Sequence, residues 1–117
     1  MAEISSEQRE VCRRLDAEPV PAPPDLKVGI ASGAKEGDRP IKAIRHLPRG
    51  DTTGWFIWGG DAEPAEQGDD FFRPLHVAHL TDWCPEILPY LALPPGWGVI
   101  VDTDYEDAWY DPSYLVD

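Results

Sequence analysis

The sequence predicts an α+β domain: a small antiparallel sheet with a few short helices packed on it. Three observations carry that expectation. Apolar residues come in short runs, several with the two-residue alternation of a half-buried strand. Thirteen prolines and ten glycines break the chain between those runs, and Pro and Gly are the residues that end elements and make turns. The runs are ordered strands, then helices, then strands, a pattern that belongs to α+β folds.

Taken in order, Ser5-Ser6-Glu7-Gln8 opens a helix. Ser5 serves as its cap, and Gln8 stands three residues on, as a capping box requires. Val11, Cys12 and Leu15 give it one apolar stripe, and it should end near Asp16 or Ala17. Pro19-Val20-Pro21-Ala22-Pro23-Pro24 favours an extended strap. The strap is expected to tie the helix to the main body rather than to serve as a ligand for another protein. Residues 1–25 are thus expected as a helix and strap, and residues 26–117 as the domain proper.

Leu26 to Ala31 reads as the first strand, Ser32 to Asp38 as a loop, and Ile41 to His46 as the second strand with one polar face. The third is Trp55-Phe56-Ile57-Trp58, between turns at Arg49–Gly54 and Gly59-Gly60. These three are expected to form an antiparallel meander, because their connections are short for parallel crossovers. Alternation turns Trp55 and Ile57 one way and Phe56 and Trp58 the other, which suits a central strand covered on both sides. An acidic loop occupies residues 61–70. Leu75, Val77, Ala78 and Leu80 then suggest a short helix carrying His76 and His79, and Cys84 to Leu91 a second, with Pro85 in its first turn. Trp97 to Val101 and Glu106 to Tyr110 read as the last two strands, joined by a turn at Asp102-Thr103-Asp104.

The net charge is −12, and it is unevenly placed. Residues 1–49 hold nine Lys/Arg and eight Asp/Glu, whereas residues 50–117 hold one cation, Arg73, and fourteen carboxylates. Such a surface repels phosphates and anionic lipid and draws basic partners. Nucleic acid and membranes are therefore disfavoured as partners. No apolar run approaches the roughly 20 residues that span a bilayer, and the first residues lack the basic and apolar regions of a secretory signal. The expected location is the cytoplasm, with Cys12 and Cys84 as buried free thiols.

Few residues suggest chemistry. His76 and His79 stand three apart, as two imidazoles sharing a metal would, with Asp69, Asp70 and Cys84 as further donors. That spacing fits no strong metal template, so a small metal-dependent hydrolase is the weaker reading. Asp102 to Asp107 lacks the glycine of an EF-hand loop, and no nucleophile-elbow or phosphate-loop pattern is present. No cofactor and no enzymatic activity are expected. Trp109 and Tyr110 among Glu106, Asp107 and Asp111 combine rings with carboxylates, the chemistry that receives a basic protein partner.

Gly54-Trp55-Phe56-Ile57-Trp58-Gly59-Gly60, the acidic loop, Phe72-x-Pro74-Leu75-His76-Val77, Cys84-Pro85-Glu86-Ile87-Leu88-Pro89-Tyr90-Leu91, Pro94-Pro95-Gly96 and Tyr105 to Asp111 together resemble a small bacterial domain. It is the immunity-protein family numbered thirty-three among those paired with polymorphic toxins, formerly a domain of unknown function. The resemblance covers roughly residues 26–117. It implies a protein that binds and neutralises a cognate toxin, without fixed contact residues to carry over. On patch chemistry, the expected contact set is Asp69, Asp70, Asp102, Asp104, Glu106, Asp107, Trp109, Tyr110 and Asp111, meeting a basic toxin through charge. An interaction module with no toxin partner is the other reading.

Overall fold

In the computed structural model, which describes residues 4–68 and 70–115, six strands among those residues form one sheet. Helix α1 spans Ser6–Arg14 and begins as expected: the Ser5 hydroxyl accepts from the Gln8 N–H, and the Gln8 side chain accepts from the Ser5 N–H. Its remaining amide donor reaches the Leu88 carbonyl at 2.9 Å. One residue thus closes the helix start and ties it to the far end of the chain.

Strands β1 (Lys27–Ile30), β2 (Ile41–Arg45), β3 (Thr52–Gly59), β4 (Arg73–His76), β5 (Trp97–Asp102) and β6 (Tyr105–Tyr110) lie in the order β4-β1-β3-β2-β5-β6. All neighbours are antiparallel except β1 and β3, which run parallel. The expected meander is corrected here. The stretch after β1 is not a plain loop but carries a one-turn helix, α2 (Gly33–Glu36). It lets β2 land one place away, and the β2–β3 hairpin then returns β3 into the gap. A second correction concerns His76. Arg73-Pro74-Leu75-His76 is an edge strand, where a proline is tolerated, and the helical turns begin only after it. A 3₁₀ turn at Val77–His79 leads into α3 (Leu80–Trp83), followed by a 3₁₀ segment, Pro85–Tyr90, with Pro85 at its start as anticipated.

The core lies on one face of the sheet. Val28, Ile30, Ile41, Ala43, Trp55, Ile57, Val99 and Val101 point into it, and Val11, Cys12, Leu80, Ile87, Leu91 and Leu93 close it from above. Each Val, Ile or Leu among them, fully buried, contributes roughly 1.5–3 kcal/mol. Helix α1 is part of this core through Val11 and Cys12. Both cysteines are buried and unbridged, and burial pushes the Cys84 thiol up to about 12.

One inward position breaks the apolar rule. Period-two alternation places Arg45 on the same side as Ile41 and Ala43, and it is 1% exposed. Among the described residues its guanidinium meets no carboxylate. Instead it donates to five carbonyls: Thr53 at 3.0 Å, Val20 at 2.9 Å, Pro21 at 3.2 Å, Leu91 at 3.1 Å and Leu93 at 2.9 Å. The Leu91 carbonyl also accepts from the Trp55 indole at 3.0 Å. Arginine suits this place because its fork of donors is rigid and planar. Burial pulls its pKa down to about 10, still well above neutral pH. The proline strap is held to the sheet by these bonds and by the Val20 N–H to Ala92 carbonyl bond at 2.8 Å.

Candidate functional site

The sheet has a second face, and among the described residues none of the helices that close the core lies on it. Ile44, Phe56, Trp58, Ile100 and Trp109 project there, since each alternates with an inward residue of β2, β3, β5 or β6. Two glycines shape this surface. A side chain at Gly29 would strike the Phe56 ring, and one at Gly98 would strike the Trp109 indole. Both rings therefore lie flat across a neighbouring strand. Phe72, at the end of the acidic loop, folds over the same face, with ring centroids 5.1 Å from Phe56 and 6.0 Å from Trp58. The cover is incomplete. A hollow of about 370 Å³ stays open among Ile44, Phe56, Trp58, Pro64 and Phe72, with His46 and Glu63 at its rim. A second of about 170 Å³ adjoins it between Ile44, Trp58, Ile100 and Trp109. β3 is the central strand expected from its aromatics, covered by helical segments on one side and only partly on the other.

The candidate contact residues fall into separate groups. Asp69 lies outside the described residues. Asp70 is exposed beyond the acidic loop's 3₁₀ turn, Pro64–Glu66. Asp102 and Asp104 sit at the β5–β6 hairpin tip, exposed, where the Asp102 carboxylate accepts from the Thr103 N–H. Asp107 and Trp109 project to the open face, and the Trp109 indole donates to the Tyr114 hydroxyl at 2.8 Å. Glu106 points the other way. It holds Arg14 of α1 at 2.8 Å and accepts from the Tyr90 hydroxyl, and Arg14 together with Tyr90 keeps its carboxyl below the usual range. Tyr110 lies on that same side, its ring over Gly96 and edge-on to Trp97. The Asp111 carboxylate accepts from the Ser113 N–H, which lowers its pKa. Asp70, Asp102, Asp104, Asp107 and Tyr110 are exposed, while Glu106 and Asp111 already serve the fold. Sequence reasoning passed over Tyr105, 55% exposed at the hairpin, and Ile44, whose outward place in β2 follows from the same alternation that buries Ala43.

His76 and His79 have ring centroids 6.0 Å apart. Cys84, proposed as a further donor, is fully buried in the core instead. Among the described residues no three His, Cys, Asp or Glu side chains group closely enough to hold one metal ion. Nor is any helix there long and apolar enough to cross a membrane.

An open six-stranded sheet with one face packed under short helices and the other lined by aromatic side chains defines a small α+β domain. The chain belongs to the Imm33-like domain family, whose model matches residues 7–111. The matched span takes in most of α1 and the strap as well as the sheet. Comparison with curated proteins and with solved structures returns no significant match.

Proposed function

We propose that this protein is an immunity protein that binds a cognate bacterial toxin stoichiometrically in the cytoplasm and neutralises it without catalysis. Membership of the Imm33-like family is the observation that carries the reading. The charge distribution supports its electrostatic part. Fourteen carboxylates against one cation after residue 49 create a field that speeds encounter with a basic surface. A toxin that acts on nucleic acid carries such a surface, because it must hold phosphates. Asp70, Asp102, Asp104, Asp107, Trp109 and Tyr110 are the contacts proposed for it, with Asp69, Glu106 and Asp111 contributing charge. The same field argues against nucleic acid and anionic membranes as partners.

The test is capture followed by rescue. Immobilised protein is exposed to lysate of its own bacterium at low salt, and the bound fraction is eluted at high salt. The expected outcome is one basic protein that arrests growth when expressed alone and not when co-expressed with this chain. Retention that ignores salt would remove the electrostatic part. A captured protein whose toxicity is unaffected by co-expression would overturn the reading itself.

A further inference from the structure

The paired hollows on the open face have a composition that the acidic patch alone does not explain. They are contiguous, because Ile44 and Trp58 line both. Together they make a mainly apolar trough across β3, β2 and β5, walled by Phe72 at one end and Trp109 at the other, with Lys42 also lining the second hollow. Apolar side chains that line an open concavity give an apolar group of a partner a place to be buried. Exposed carboxylates flank the ends: Glu63 lines the hollow beside Phe72, and Asp107 stands two residues from Trp109 on the same face. One polar group in the wall is incomplete. The Trp58 indole N–H is closed off from solvent and has no acceptor among the described residues, an uncommon state for a buried donor. A peptide laid along the trough would bring backbone carbonyls, the group this donor lacks, once the covering side chains shift.

We propose that the trough receives an apolar side chain flanked by arginine or lysine on a surface segment of the toxin. The inference rests on the immunity reading and assigns it a docking site: apolar burial at the centre supplies affinity, and the carboxylates at both ends select the flanking cations.

The test uses the full chain and two capped peptides, Ac-Arg-Leu-Arg-NH2 and Ac-Glu-Leu-Glu-NH2, followed by NMR of the ¹⁵N-labelled protein. The basic peptide is expected to move the Trp58 indole resonance and the Ile44 and Phe72 amides to saturation. The Trp55 indole, bonded to Leu91 on the opposite face, should stay still, and the acidic peptide should move nothing. Ile44→Asp should weaken the basic peptide by at least about tenfold, because the apolar side chain would then meet an unpaired carboxylate. Glu63→Lys, on the exposed loop and outside the core, should weaken it through charge alone. Stillness of the trough at about 10 mM peptide, equal response to both peptides, or shifts confined to the β5–β6 hairpin would each overturn the site. So would a co-expressed Ile44→Asp variant that folds and protects against the toxin as well as the unaltered chain. That last result leaves the immunity function standing, whereas failure to capture any toxin removes the function and not the peptide site.

Discussion

Arg45 is the residue whose loss should be felt most. Removing it takes a donor from five carbonyls, of which Thr53 and Leu93 would be left unpaired in buried sites while Leu91 keeps the Trp55 indole. Each unsatisfied buried group costs about 1 kcal/mol or more. Arg45→Met should therefore lower stability in urea unfolding by at least about 2 kcal/mol, and a loss below about 1 kcal/mol would mean that water replaces the guanidinium. Gly54 has φ +94°, and a side chain there would run into the His46 carbonyl. Gly54→Ala is expected to cost roughly 1–3 kcal/mol by the same measurement. Both positions were partly legible. The alternation Ile41, Ala43, Arg45 turns the arginine inward, but nothing local says that carbonyls rather than a carboxylate will meet it. Its partners come from residues 20–21 and 91–93, far away in sequence. The two thiols follow the burial anticipated for them: a thiol reagent should leave Cys12 and Cys84 unmodified in the native protein and react with both in guanidinium. Modification of either without unfolding would contradict their place in the core.

At the scale of elements, α1 is fastened to β6 by Glu106, which binds Arg14 and Tyr90 together. The pH dependence has two arms. Glu106 is held below its ordinary 4.5 in the fold, so its stabilisation is present above that pH and is lost as pH falls through the folded value. Tyr90, kept neutral by burial and by Glu106, is raised from 10.0 to about 12. Its contribution is complete below pH 10 and disappears as pH rises toward 12. Urea unfolding across pH should show both arms, and Glu106→Gln should flatten the acid one; an unchanged acid arm would assign it to other carboxylates. The helix start, β2, β3, β5 and β6 could be read directly, because capping and alternation are local signals. The parallel placement of β1 beside β3 could not, since strand order is set by which faces pair, not by any single run. β4 was read as helix because its one inward residue, Leu75, continues into Val77 and Leu80 at helical spacing.

For the whole molecule, charge is the governing quantity. A net of −12 on 117 residues makes the native state repel itself, and salt screens that repulsion. The melting temperature should rise between about 10 mM and 500 mM sodium chloride, while association with a basic partner should slow over the same range. A melting temperature that falls instead would show that the ion pairs outweigh the repulsion. The candidate site was legible as chemistry and not as place: acids and rings were recognised near the C-terminal hairpin, yet strand alternation sends Glu106 and Trp109 to opposite faces. The trough escaped notice because its walls come from separate strands and the acidic loop. The guanidinium clamp also bears on how the chain is made. Synthesis runs from the N-terminus, so Val20 and Pro21 emerge early while Leu91 and Leu93 emerge near the end. Until those later carbonyls arrive, Arg45 has too few acceptors to be drawn in from water, and the Val20-Pro21 stretch of the strap lacks its anchors. A nascent chain halted before residue 91 should leave its first two dozen residues open to protease, and closure should come in one late step when the last segment of the core leaves the ribosome.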